Sequence, residues 1–198
     1  MSARSVQFVA VLLTALALIP GGAHLFALPN KLTLSQADYF TVQAIYAGWA
    51  YLGLLPITAL MANGALAFLM RGNGKPFWFV VLSMLALASS LVVFFVWVFP
   101  GNQATANWTT VPDNWRDVRT RWELGHAASA ALVFVAYLST AYSALMRKTR
   151  RQQQTTPVLV HNAPAVDPSI RDRTVSEARP WRPAGPSSEP PRDFARLG

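Results

Sequence analysis

Read by its hydrophobic and polar positions, the chain divides into four long apolar stretches and a polar end. Intervals without an Asp, Glu, Lys or Arg cover residues 5–30, 39–70, 76–112 and 124–146. Each is long enough to cross a bilayer as a helix, which takes about 20 apolar residues because backbone polar groups in hydrocarbon must be satisfied within the segment. The pattern predicts helices near 6–28, 43–70, 77–99 and 124–146. The expected fold is therefore all-α, an integral membrane four-helix bundle over 1–146. Phe77, Trp78 and Phe79 at one end of the third helix, with Trp97 and Phe99 at the other, stand where interfacial aromatic belts belong.

Two proline sites modify this picture. Pro20-Gly21-Gly22 is expected to interrupt the first helix and free carbonyls beside His24, and Pro56 to kink the second. Small residues four apart, Ala44 with Gly48 and Ala127 with Ala131, are expected at helix contacts. The first span has a rival reading as a cleaved signal peptide: Arg4, an apolar run to Ile19 and Gly21-Gly22-Ala23 fit that three-part pattern, with residues 1–23 removed. Against this, apolar residues continue through Leu25, Phe26 and Leu28, long enough to span.

Charge follows the same division. Up to Met146 there are seven basic and four acidic residues, whereas residues 147–198 hold ten basic and five acidic ones and eight of the fourteen prolines. Such a tail buries no core and is expected to be disordered and basic. The body lacks the charged exterior of a soluble domain. The net charge of +8, which in a soluble chain would point to nucleic acid, is better matched here by anionic lipid headgroups at Arg147, Lys148, Arg150 and Arg151, with no nucleic-acid partner. Near the membrane ends, Arg4, Arg71, Lys75 and those four residues outnumber Lys31, Arg116, Arg119 and Arg121. The positive-inside rule then places both termini in the cytoplasm, in an inner or plasma membrane, with 29–42 and 100–123 outside. With no Cys, disulfides, Fe–S clusters, thiolate zinc and thiol nucleophiles are excluded.

The candidate chemistry gathers at the outer face. In a helix beginning near Asp113, Trp115, Arg119, Trp122 and His126 fall on one side. Arg119 and Glu123 are four apart, a usual ion-pair spacing, and Glu123 is three from His126. His24 reaches the same depth from the first helix, and Tyr46, Trp49 and Tyr51 start the second at that level. An ionisable group at the apolar boundary is costly to desolvate and so points to function. The plain structural reading makes Arg, Trp and Tyr interfacial anchors and Arg119–Glu123 a brace. For His24, Arg121, Glu123 and His126, four polar groups in a body this poor in charge favour chemistry over bracing.

Asn102, Asn107-Trp108-Thr109, Pro112, Trp115, Arg119, Arg121-Trp122-Glu123 and His126 resemble the loop and fourth-helix signature of the anthrone-oxygenase-like integral membrane proteins. The resemblance implies oxygenation of a small phenolic or anthrone-like aromatic substrate without metal, flavin or other cofactor. On that reading a histidine, His24 or His126, removes a proton from an acidic carbon whose carbanion meets dioxygen. Arg121 or Arg119 would stabilise the enolate oxygen, Glu123 would orient the base, and Trp115 and Trp122 would stack on the ring. Asn107, Tyr46 and Trp49 complete the candidate substrate-binding set. Two alternatives stay open: a bis-histidine haem b protein ligated by His24 and His126, and a non-enzymatic scaffold or assembly protein. A di-iron site is nearly excluded, since Glu123-Leu124-Gly125-His126 supplies one half of the pattern, and a channel is disfavoured by the lack of a polar line through the spans, where Asn63 and Thr58 read as interhelical hydrogen-bonding residues.

Overall fold

The computed structural model describes the backbone of residues 2–155 and the side chains of 2–146. Of the expected basic tail, the backbone of residues 147–155 continues the last helix, while residues 156–198 and the side chains of Arg147, Lys148, Arg150 and Arg151 lie outside the described residues. Among those described there is no strand. The helices are α1 (Ala3–Thr33), α2 (Gln36–Gln43), α3 (Leu54–Leu69), α4 (Lys75–Val93), α5 (Phe99–Ala104) and α6 (Trp115–Thr155). Four stretches are long and apolar enough to cross a membrane: Ala3–Thr33, Trp49–Leu69, Lys75–Ala104 and Trp115–Met146. α1 packs between α3 and α6, and α4 closes the ring against the same two helices. The outward sides carry Phe8, Ile19, Phe26, Met61, Phe68, Leu85, Val92 and Phe134, all exposed, an apolar exterior suited to lipid and not to water.

α1 does not break at Pro20. It runs unbroken from Ser2, whose hydroxyl caps it by accepting from the Ser5 amide, through Pro20 and Pro29 to Thr33. Gly21 acts in packing instead: a Cβ on it would lie 3.2 Å from the Ala130 Cβ on α6. That close crossing holds the backbone helical across the proline, and Gly21 with Ala130, in place of exposed Ala131, forms the tight contact.

The predicted helix over 43–70 is instead three pieces. Short 3-10 turns at Ala44–Tyr46 and Trp49–Gly53 flank Gly48, which is left-handed (φ 83°) and has open space around it. Ala44 and Gly48 therefore form a bend and not a packing pair. Pro56 is the third residue of α3, where a helix amide has no partner to lose, so it starts the helix without kinking it. At the far end of α4 the chain widens into a π turn at Phe94–Val98, with the Phe99 amide reaching the Phe94 carbonyl just ahead of Pro100. The apolar run marks only 124–146, because the charged first turns of α6 escape that criterion; the helix itself starts at Trp115, close to the Asp113 start that aligns Trp115, Arg119, Trp122 and His126, and it continues past Met146.

Midway along the bundle one polar knot ties its four long helices. Asn63 on α3 donates to Thr14 of α1 (3.2 Å) and accepts from Thr140 of α6 (2.8 Å), whose hydroxyl lies 2.7 Å from that of Ser83 on α4. Thr58 bonds only carbonyls of its own helix.

Candidate functional site

The site lies where α1 ends, α2 begins and α6 starts. After α5 the chain enters a loop whose Ala106, Asn107 and Trp108 are all left-handed (φ 46°, 56° and 65°). That costs L-residues about 1–2 kcal/mol each. The Thr105 hydroxyl and carbonyl hold the turn by accepting from the amides of Trp108 and of Thr109 and Thr110. What the turn delivers is Trp108, buried edge-on against Tyr39 (5.2 Å), Phe40 (5.5 Å) and Trp122 (5.2 Å).

On α6, Trp115, Trp122 and Glu123 are buried and Arg119 and His126 are half-buried. The Trp122 indole donates to Asn102 Oδ1 at 2.7 Å. Helix α6 reaches this depth because Gly125 admits the π turn: a Cβ there would stand 2.8 Å from Val98 Cγ2 and 3.2 Å from Trp97 Cβ.

The expected Arg119–Glu123 pair does not form. Arg119 sits one turn nearer the rim, donates to the Leu34 carbonyl at 3.0 Å and lies over Trp115 (4.7 Å) and Tyr39 (5.4 Å). Glu123, fully buried, meets Lys31 at 2.7 Å through Oε2, an ion pair not aligned as a hydrogen bond, and its Oε1 accepts from the Tyr39 hydroxyl at 2.9 Å. Burial, then the Glu123 charge, push Tyr39 well above the ordinary phenol range, so it stays a proton donor. The same two causes raise Tyr46.

Lys31 and Tyr39 are the members that sequence reasoning missed. Lys31 stands seven residues after His24, two helical turns on, so both project from one side of α1. Its ammonium, 3% exposed as a residue, reaches His24 Nδ1 at 3.3 Å and lies near the rings of Tyr46 (5.1 Å) and Trp122 (5.3 Å).

The two histidines meet as expected from their depth. Their rings stack at 4.0 Å with 16° between planes. Tyr46 (4.4 Å), Trp49 (5.8 Å) and Trp122 (5.0 Å) surround His24, and Trp122 stands edge-on to His126 at 4.3 Å. Nδ1 of His24 faces Lys31, whereas no hydrogen bond from the described residues reaches the nitrogens of His126. Of the remaining candidates, Arg121 is exposed on α6 and Asn107 is exposed on the loop, so neither joins the cluster. Asn107 contributes its backbone amide, bonded to the Asn102 carbonyl at 2.7 Å. Arg116 lies over the Trp115 ring (5.4 Å) and Tyr51 is exposed, as anchors would be.

Axial haem ligands must aim ring nitrogens at one iron from opposite sides of a porphyrin. Rings stacked face to face at 4.0 Å admit no porphyrin plane between them, so this arrangement does not fit a bis-histidine haem. Among the described residues no three His, Asp or Glu side chains converge as a metal site. What the arrangement offers is acid–base chemistry: one imidazole held by a buried ion pair, a second in contact with it and unbonded, and aromatic rings around both.

No protein-family model, no curated protein and no solved structure matches this chain.

Proposed function

We propose that this integral membrane protein carries a cofactor-independent oxygenase site for a small planar carbon acid of the anthrone type, with His126 as the base. The observation that carries this reading is the His24–His126 stack among aromatic rings, with no hydrogen bond from the described residues on the His126 nitrogens. In such a step the C–H proton passes to His126, and the carbanion reduces dioxygen to a hydroperoxide. Loss of water then leaves a carbonyl, so one dioxygen yields one quinone oxygen and one water. Aromatic walls of Tyr46, Trp49 and Trp122 suit a planar ring. Arg121 and Asn107 are not part of this site; a half-buried cation for the enolate oxygen comes from Arg119, whose Nε carries no hydrogen bond.

The test is oxygen uptake by the purified protein in detergent with a panel of anthrones and polyphenols. His126→Gln is expected to lower kcat by about 10²–10⁴-fold, with the melting temperature kept. No uptake by the parent protein with any of the panel, or full activity in His126→Gln, rejects it. A scaffold reading is favoured by one feature, the complete burial of the Lys31–Glu123 pair; under it, substitutions in the cluster change melting alone.

For orientation, we infer that both termini face the cytoplasm. Lys31 and Arg119 are engaged within the protein, which leaves Arg116 and Arg121 at the end bearing the site, against Arg4, Arg71 and Lys75 at the other, so the positive-inside bias grows. Retention of the first span is supported by Thr14, Gly21 and His24, which all contact other helices of the bundle.

A further inference from the structure

We infer that Lys31 is a positioning residue: anchored on Glu123, its ammonium holds His24 as the Nε2–H tautomer and leaves His126 as the one imidazole of the stacked pair free to take a substrate proton. This rests on the proposed base role of His126. The geometry behind it is independent of any substrate.

An ammonium has three N–H donors and no lone pair, so a ring nitrogen that meets it must be an acceptor. Nζ of Lys31 stands 2.7 Å from a Glu123 oxygen and 3.3 Å from His24 Nδ1. While Lys31 is charged, Nδ1 therefore carries no proton, and neutral His24 bears it on Nε2. The charge on Lys31 is stabilised on three sides. Glu123 neutralises it, the Tyr46 and Trp122 rings present π faces at 5.1 Å and 5.3 Å, and its place in the last turn of α1 sets it by the negative end of the helix dipole. Glu123 is in turn held by the Tyr39 hydroxyl, so the anchor is fixed on both oxygens.

A consequence for the pair follows from position. A second proton on His24 would have to enter at Nδ1, against the ammonium 3.3 Å away, while His126 meets no such donor. Of the two rings stacked at 4.0 Å, His24 is therefore the one whose acceptor nitrogen is taken by Lys31, and His126 the one without a donor against it among the described residues.

The test is ¹⁵N NMR of the full chain in detergent, labelled at histidine and lysine. His161→Gln removes the one other histidine signal, and His24→Gln identifies the signals of His24. Expected in the parent are a protonated Nε2 and bare Nδ1 on His24, and an ammonium, not amine, shift for Lys31 Nζ. In Lys31→Met/Glu123→Gln, which removes both charges so that neither is left buried alone, His24 is expected to lose its single Nε2–H population and show Nδ1–H as well. An Nδ1–H His24 or a neutral Lys31 amine in the parent overturns the inference, as does a double variant whose His24 tautomer is unchanged. No substrate enters these measurements, so a failure here is distinct from a failure of oxygen uptake.

Discussion

Removing the Lys31 ammonium alone is the sharpest test of how this cap is held. In Lys31→Met the Glu123 carboxylate, 0% exposed, keeps one hydrogen bond, from Tyr39, and loses its counter-charge. Orphaning a buried charge costs about 3–5 kcal/mol. At about 2–4 °C per kcal/mol for a chain of this size, the melting temperature should fall by roughly 6–20 °C. Glu123→Gln alone leaves the ammonium buried with only a neutral oxygen and is expected to be destabilising too. The double variant carries no buried charge, and the side-chain amide oxygen introduced at position 123 still accepts from Tyr39, so it should recover about 2 kcal/mol relative to Lys31→Met. Thermal unfolding in detergent, followed by near-ultraviolet circular dichroism, reads all four corners of the cycle. Additive effects, or a loss under about 1 kcal/mol for Lys31→Met, would show that water screens the pair and refute its burial as described.

Gly125→Ala should cost about 1–3 kcal/mol, measured as melting, because its Cβ meets Val98 Cγ2 at 2.8 Å; adding Val98→Ala should return part of the loss. Tyr39, raised by burial and Glu123, ionises in the unfolded chain near pH 10 but not in the folded one. Its contribution is therefore whole below that pH and declines as pH rises above it, and Tyr39→Phe should flatten the alkaline slope of stability. Because the chain has no Cys, single cysteines report topology cleanly. Gln36→Cys is expected to react with an impermeant maleimide on intact cells and Asn73→Cys only after lysis; the reverse pattern inverts the orientation.

The four spans were legible because eleven charges in 146 positions leave intervals that only a bilayer-crossing helix explains. The meeting of His24 and His126 was legible too, since topology alone brings the end of α1 and the start of α6 to the same end of the bundle. What escaped depended on neighbours. Gly48 interrupts the second span with a left-handed bend that no polar residue marks, and Pro20 reads as a break until Ala130 is found packed on Gly21. Glu123 has two arginines within four positions, yet it pairs with a lysine 92 residues away, because burial depth and not sequence distance decides which cation reaches a buried carboxylate. Lys31 was visible in one respect only, its seven-residue spacing from His24.

The knot of Thr14, Asn63, Ser83 and Thr140 has a consequence for biogenesis. Each helix leaves the translocation machinery carrying a polar side chain that hydrocarbon cannot solvate, and Asn63 gains both its partners on other helices only when α1 and α6 are both in place. Thr14, Thr140 and the Asn63 amide each also donate to a carbonyl of their own helix, so the exposed group in a product lacking α6 is the Asn63 side-chain oxygen, which then faces lipid without a donor, a mark by which membrane proteases can tell a half-built copy from a finished one.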